Sequence, residues 1–260
     1  MEGALTSRAV LSLKGEDATP FLQGLVTQDV TGSAPAFTAL LTPQGKILFD
    51  FFLIPVEGGY LIDCAASAAP ALLKRLMMYK LRAKVALAAE EGLGVYAGAR
   101  AGVSYADPRL ASLPLRTIAA RGAAGPADEA YDALRLAQAV PEFGRDFKGE
   151  DVFLLDVNYD ALKAVSYKKG CFVGQEVTSR MKRKGAIRKR TLIARGSGLA
   201  AGAPVLAGDS AIGEVLSARG GEGLALIRLD RLAEARHAGA ALTAGAAPIK
   251  IDVPAYLEPA

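Results

Sequence analysis

The chain has 260 residues, a net charge of +4 and an apolar fraction of 51%, which indicates a globular protein and excludes a disordered one. A chain of this length buries about three quarters of its unfolded surface, in one large domain or two smaller ones. No apolar run approaches the ~20 residues of a membrane-spanning helix, and residues 1–8 lack the pattern of a secretory signal peptide. We therefore expect a cytoplasmic protein without a membrane partner.

Cysteine and histidine are scarce, with two cysteines, Cys64 and Cys171, and one histidine, His237. This excludes a disulfide scaffold and a zinc finger, and it argues against a Ser-His-Asp hydrolase. His237 lies where we expect a helix to end, a position that favours a cation. A cluster held by four thiolates needs four cysteines. We therefore expect no intrinsic metal, and at most one thiolate lent to a cluster shared with a partner or a second copy.

The N-terminal half predicts a strand meander with one helix packed on it, which is an α+β pattern. Expected strands are residues 8–14, 37–41, 47–55, 60–64, 85–89 and 93–97. Expected helices are residues 18–23, capped by the carboxylate of Asp17, and residues 67–79. Residues 107–126 are rich in turn-forming residues.

Beyond residue 126 we expect a helix over residues 128–139 that stops before Pro141, a short helix over 156–162 and a basic helix over 176–184. Short strands then alternate with glycine-rich turns, which predicts a small antiparallel barrel. Those strands are residues 191–195, 204–206, 212–217, 224–229 and 249–253. The predicted domains are residues 1–187, which could divide again near residues 100–125, and the barrel, residues 188–260.

The most informative segment is Lys168–Glu176, which reads KKGCFVGQE. Its two glycines would each cost a helix roughly 1 kcal/mol relative to alanine, so they indicate unusual backbone angles or a close approach. The neighbouring lysines favour the thiolate form of Cys171. Cys171 is thus a candidate nucleophile or ligand, although a buried cysteine beside a turn stays open.

A basic run follows this segment: Arg180, Lys182, Arg183, Lys184, Arg188, Lys189 and Arg190. Such density attracts anions, so a polyglutamate tail, a nucleic-acid phosphate or an acidic partner would fit, as would a simple solvated surface. No aromatic residue interleaves the run, so base stacking has no support and we do not expect direct nucleic-acid binding.

The segment Lys169–Glu176, K-G-C-F-x-G-Q-E, resembles the signature of the YgfZ family, folate-binding-like proteins of iron–sulfur cluster assembly and repair. Four further blocks resemble that family in the same order: Gly15–Val30, Leu40–Ile47, Leu134–Leu136 with Pro141, and Val165–Tyr167. That family is similar in fold to the T-protein of glycine cleavage, a tetrahydrofolate-dependent aminomethyltransferase. The resemblance implies a T-protein-like α+β fold, with meander sheets and packed helices around a central cavity, followed by an antiparallel β-barrel.

The resemblance also implies a function, that of an accessory protein for iron–sulfur cluster assembly or repair, acting with scaffold or client proteins. Effects on tRNA modification would then be indirect. Cys171 and Lys169 would be the working residues, with Cys171 able to act as a shared cluster ligand. Five other motif residues would shape the loop or grip a partner: Gly170, Phe172, Gly174, Gln175 and Glu176. For Glu176, an acid that complements a helix N-terminus is an equal alternative.

A tetrahydrofolate-dependent aminomethyltransferase or another one-carbon transferase is the alternative function. Here the resemblance implies that Arg8 and Tyr131 line a folate cavity, with Tyr131 stacking on the pterin or simply half-buried on its helix. The glutamate tail would bind Arg188 or Arg190.

The transfer chemistry would rest on Asp50, which stands near the essential aspartate of the transferases or else faces solvent at a strand edge. The segment Phe49-Asp50-Phe51 contains one acidic residue, whereas those enzymes tend to have a pair of acidic residues at this place. Ala137 occupies the place of the T-protein glutamate that hydrogen-bonds the pterin. Each pterin N–H left unpaired would cost on the order of 1–3 kcal/mol, which weakens tetrahydrofolate binding.

Overall fold

The computed structural model describes residues 1–183 and 187–257. The chain forms two compact units, the first from Met1–Tyr131 and Lys163–Glu176, the second from Asp132–Leu162 and Val177–Ala260. The second unit thus contains residues 132–162 in addition to the predicted barrel. Within the described residues, no helix has both the length and the hydropathy needed to cross a membrane.

Two antiparallel sheets build the first unit. The larger contains β2 (Arg8–Lys14), β3 (Ala36–Leu41), β4 (Ile47–Val56), β5 (Gly59–Ala65) and β6 (Ala86–Ala89), in the order β3-β4-β5-β2-β6. The smaller contains β1 (Gly3–Ala4), β7 (Leu93–Ala97), β8 (Val103–Tyr105) and β9 (Arg116–Ala120), in the order β1-β7-β9-β8. Helices α1 (Ala18–Gln23) and α2 (Ala69–Lys80) complete the unit.

One face of the larger sheet forms an apolar core with the two helices, because alternate strand residues point to the same side. That core includes Leu11, Leu13, Phe51, Ile62 and Cys64 from the strands, with Leu22, Leu72 and Leu76 from the helices. The alternation turns Phe52 and Asp63, which are paired across β4 and β5, to the opposite face. That second face carries the buried charges described below.

The expected strands and helices of this unit are present with small shifts at their ends, but two details were wrong. Asp17 does not cap α1, because its carboxylate accepts a hydrogen bond of 2.7 Å from the backbone N–H of Lys84. Residues 107–126 are more than turns, since they include β9. That strand is short, and its first residue is a charged arginine that hides the apolar pattern.

The second unit contains a seven-stranded antiparallel sheet. Its strands are β10 (Lys189–Arg195), β11 (Pro204–Ala207), β12 (Ser210–Arg219), β13 (Glu222–Arg228), β14 (Leu242–Ala244), β15 (Ala247–Pro248) and β16 (Lys250–Asp252). Their order is β15-β14-β11-β12-β13-β10-β16. An apolar core that includes Leu192, Val205, Ile212, Val215 and Ile227 lies on this sheet. A helix, α5 (Leu229–His237), follows β13 and ends at His237 as expected.

Helices α3 (Asp128–Ala137) and α4 (Gln175–Arg183) match two predicted helices. Lys184, at the predicted end of the basic helix, lies outside the described residues. The short helix expected over 156–162 was wrong, because this segment consists of turns. Asn158 and Lys163 adopt positive φ angles of 62° and 59°, and such angles are incompatible with a continuing right-handed helix.

Candidate functional site

The segment Lys168–Gly174, here the motif loop, precedes α4 and presents Cys171 to solvent. Two neighbouring side chains are buried, in contrast to Cys171, since Lys169 and Phe172 are both 7% exposed. Two buried side chains therefore hold the loop while the thiol between them stays accessible. The alternative of a buried Cys171 was wrong.

Lys169 ties the motif loop to the segment that follows α1. Its ammonium donates hydrogen bonds to the carbonyl oxygens of Val26, at 2.6 Å, and Gln28, at 3.0 Å. The same Nζ lies 5.3 Å from the centre of the Phe172 ring. Burial lowers the pKa of Lys169 to about 8, against the opposing attraction of Asp29. Lys169 thus fastens the loop beside the cysteine.

Gly174 fixes the other end of the motif loop. Its φ of 81° lies in the left-handed region, where any other residue is strained. A Cβ at this position would lie 2.7 Å from the carbonyl oxygen of Thr42 and 3.0 Å from the Cβ of Leu41. A Cβ on Gly170, in contrast, would meet no described heavy atom within 4 Å. Only one of the two motif glycines is therefore required by close packing.

Thr27 connects the segment just before the motif loop to strand β3. Its hydroxyl donates to the carbonyl oxygen of Ala164 at 2.6 Å and accepts from the backbone N–H of Ala39 at 2.9 Å. Its carbonyl oxygen accepts a bond of 3.0 Å from the N–H of Ser166. The segments around residues 26–28, 41–45 and 164–166 thus converge on the motif loop.

Cys64 contrasts sharply with Cys171. It is fully buried in β5, and burial raises the pKa of its thiol to about 12. A thiol that stays protonated at neutral pH is a poor ligand and a poor nucleophile. Of the two cysteines in the sequence, only Cys171 is placed for chemistry.

Gln175 and Glu176 begin α4. The backbone N–H of Gln175 bonds to the carbonyl oxygen of Phe172 at 3.2 Å, which closes the loop onto the helix. Glu176 is exposed in the first helical turn, where a negative charge complements the helix dipole. Its position therefore agrees with the structural alternative.

A second group of polar residues lies buried in the same unit, here the arginine cluster. Its members are Arg8, Asp63, Tyr105, Asp107, Arg109, Arg116 and Tyr131, each at most 5% exposed. Arg116 is central, because its guanidinium bonds to Asp63 at 2.7 Å, to Asp107 at 3.2 Å and to the Tyr131 hydroxyl at 2.7 Å. These groups satisfy one another away from water, as buried charges must.

The remaining members close this network. Arg8 bonds to Asp63 at 2.6 Å, and Arg109 bonds to Asp107 at 2.7 Å. Burial alone would raise the pKa of Asp107, but the Arg109 and Arg116 guanidiniums hold it below its usual value. Burial and the charge of Asp63 raise the pKa of Tyr105 well above its usual value. Asp107 is therefore ionised and Tyr105 protonated at physiological pH.

The arginine cluster does not fit the folate site that the resemblance implied. Arg8 and Tyr131 do meet in one network, but Tyr131 is 1% exposed. Its hydroxyl accepts bonds from Arg109 and Arg116, and the Arg116 guanidinium lies 5.1 Å from its ring centre. A pterin could stack there only by displacing a guanidinium from two aspartates. The expectation that Tyr131 is half-buried was also wrong.

The other proposed folate residues are Asp50, in the first unit, and Arg188 and Arg190, in the second. Asp50 is 2% exposed on the interior strand β4, opposite Ala39, so the solvent-facing alternative was wrong. In the second unit, Arg190 is 8% exposed and pairs with Asp160 at 2.8 Å. Arg188, just before β10, is exposed. Arg190 is thus committed to an internal ion pair.

The sequence did not reveal five members of the cluster: Asp63, Tyr105, Asp107, Arg109 and Arg116. One signal was present, because Asp63 interrupts the apolar strand Tyr60–Cys64. A charged residue in the middle of a buried strand needs a partner of opposite charge. Arg116, the partner, is 53 residues further along the chain, and nothing in the sequence specifies that pairing.

Comparison with known proteins places the chain in a family. The family described as the CAF17 C-terminal beta-barrel domain matches residues 188–259. The mitochondrial iron–sulfur cluster assembly factor IBA57 of Homo sapiens is 32% identical, over 90% of this chain and 79% of its own. The chain belongs to the IBA57 family. The IBA57 protein of Mus musculus is 30% identical with the same coverage.

The IBA57 homologue of Coccidioides immitis is 31% identical over 72% of this chain, which spans about half (55%) of that longer protein. The family is thus one of iron–sulfur assembly factors, as the motif implied, but its relatives carry the IBA57 name and not YgfZ. These relatives are mitochondrial, so the expected cytoplasmic location is contradicted.

The expected fold is confirmed. The aminomethyltransferase T of the glycine cleavage system from Bartonella henselae matches with a TM-score of 0.74, over 99% of this chain and 86% of that one. The sequence identity is 16%, so this likeness establishes the T-protein-like fold and no activity. The family match over residues 188–259 identifies the seven-stranded sheet as the C-terminal β-barrel.

Proposed function

We propose that this protein is an accessory factor in iron–sulfur cluster assembly, and that Cys171 is the group that contacts the cluster. The observation that carries the proposal is the exposed thiol on a loop anchored by Lys169 and Gly174. Because the loop is already anchored, the Cys171 thiol can bind iron with little further loss of conformational entropy. This favours capture of a transient cargo. The names of the IBA57 relatives support the same role.

The cluster is cargo in this scheme, held jointly with a partner. Cys171 supplies one thiolate to iron, and the buried Cys64 thiol supplies none. Because the chain has only two cysteines and clusters are held mainly by thiolates, the other ligands come from a scaffold or client protein. An effect on tRNA modification would follow indirectly, when a cluster-dependent modifying enzyme loses its cluster.

A one-carbon transferase is the second candidate, supported by the fold likeness alone. Ala137 and the filled surroundings of Tyr131 count against it, because both remove partners that a pterin would need. Calorimetric titration with tetrahydrofolate tests binding, and formation of 5,10-methylenetetrahydrofolate from an aminomethyl donor tests transfer. We expect neither binding at Arg8 and Tyr131 nor transfer.

Deletion of the gene in its host tests the proposed role. We expect several iron–sulfur enzymes to lose activity while a cluster-free enzyme of the same compartment keeps its activity, and the restored wild-type gene to reverse the loss. If every cluster enzyme stays active, the proposal is wrong, and the transferase becomes the leading function.

A further inference from the structure

The C-terminal end of α2 exposes an unusual group of apolar side chains. Met77, Met78 and Leu81 are 49%, 61% and 88% exposed. They are three of the seven large apolar side chains that are exposed in the described residues, yet they fall within five positions. The helix already buries Ala69, Leu72 and Leu76 in the core, so these residues form a second apolar strip on its outer side.

Two features of Leu81, its backbone conformation and its exposed side chain, are unfavourable in the folded chain. Its φ of 43° and ψ of −105° place it second in a turn closed by a 2.7 Å bond from the Ala83 N–H to the Lys80 carbonyl oxygen. Glycine favours this position, and other residues are strained there. Its side chain is also the most exposed of the large apolar side chains in the described residues, so packing within the unit gives it little stabilisation. An exposed leucine in this strained conformation favours a contact outside the chain.

Positive charge surrounds the strip. Five cations occur between residues 74 and 84, and no acid occurs between residues 64 and 89: the cations are Lys74, Arg75, Lys80, Arg82 and Lys84. Lys84 pairs with Glu16 at 2.8 Å, while Lys74 and Arg82 are exposed. The surface therefore combines an apolar centre with a positive rim, which complements an apolar centre with a negative rim.

We infer that Met77, Met78 and Leu81, with the surrounding cations, form a docking surface for an acidic partner protein that presents an amphipathic helix. Flexible methionines suit such helix recognition because they adapt to the partner's side chains. A second copy of the chain is disfavoured, since it would oppose cation to cation. A lipid surface is disfavoured because membrane-lying helices bury a broad face with aromatic residues, and the broad face of α2 is turned to the core. This inference does not depend on the role of Cys171.

The test uses a fluorescent acidic peptide whose leucines recur at helical spacing between glutamates, and a scrambled peptide of identical composition. Fluorescence anisotropy with the full-length protein should show binding of the first peptide and at least tenfold weaker binding of the second. Met78→Ser should weaken binding about tenfold, and 0.5 M salt should weaken it further because it screens the rim. The matched control is Val103→Ser, which changes an apolar side chain that is 37% exposed elsewhere in the same unit, and it should bind like wild type.

Leu81→Gly gives an independent readout, because binding and stability should move in opposite directions. Glycine relieves the positive φ, so the midpoint of thermal unfolding should rise by about 2–4 °C, while peptide binding falls about tenfold. Equal binding of the ordered and scrambled peptides overturns the inference, as does wild-type affinity in Met78→Ser and Leu81→Gly. The inference is also overturned if the wild-type protein binds neither peptide but dimerises, and the two variants lose that dimerisation. The same holds if the protein binds phosphatidylserine vesicles in place of the peptides, and the two variants lose that binding.

Discussion

Replacing Gly174 by alanine tests the steric anchor of the motif loop. The φ of 81° costs an L-residue about 1–2 kcal/mol. The new Cβ would lie 2.7 Å from the Thr42 carbonyl oxygen, closer than such atoms approach, so the backbone must shift. Overpacking of this kind costs about 1–3 kcal/mol. We therefore expect Gly174→Ala to lower the free energy of unfolding by about 2–5 kcal/mol.

Thermal unfolding of the purified protein measures this loss, which corresponds to a midpoint lowered by roughly 4–20 °C. The matched control is Gly170→Ala in the same loop, where the added methyl group meets no described atom within 4 Å. That variant should stay within about 0.5 kcal/mol of wild type. If Gly174→Ala moves the midpoint no more than Gly170→Ala does, the steric reasoning is refuted.

Three further predictions concern charge and thiol burial. Alkylation should modify one cysteine in the native protein, Cys171, and two in the unfolded protein, because Cys64 is buried; modification of both in the native state would contradict the structure. The pKa of Lys169 is about 8 when folded and 10.5 in its ordinary state, so between these values the unfolded chain holds the extra proton and stability rises with pH. The free energy of unfolding of wild type minus that of Lys169→Met should therefore increase from pH 8 to pH 10.5, and a flat or falling difference in chemical denaturation would refute the shift. Arg116→Met should cost about 3–5 kcal/mol in the same assay, because it removes the cation that the buried carboxylates of Asp63 and Asp107 share. Lys84→Met, which breaks an exposed pair, should have little effect.

Local patterns in the sequence predicted much of the fold. Alternating residues identified β2, β4 and β5, and the helical spacing of Leu72 and Leu76 identified α2, because these segments each bury one face. The prediction failed where tertiary contacts override local preference. Asp17 bonds to the distant Lys84 backbone in place of the helix it precedes. The segment 156–162 forms turns, with a positive φ at Asn158 and another just beyond it at Lys163.

The candidate site was predictable in part for the same reason. The glycines and lysines around Cys171 signalled a constrained loop, but not which partner each would meet. Lys169 reaches carbonyl oxygens more than 140 residues earlier in the chain. Arg8 and Tyr131 were expected to leave room for a folate, and the structure fills that room with Arg109 and Arg116. Pairings between distant charged residues leave no periodic trace in a sequence, so they emerge only from the fold.

The most direct test of the central claim compares the two cysteines in cells that lack the protein. Cys171→Ala and Cys64→Ala are each restored at the abundance of wild type, and iron–sulfur enzymes are assayed beside a cluster-free enzyme. The account predicts that Cys64→Ala restores the cluster enzymes and that Cys171→Ala does not. Full restoration by Cys171→Ala would contradict it, because the exposed thiol would then have no role in cluster assembly.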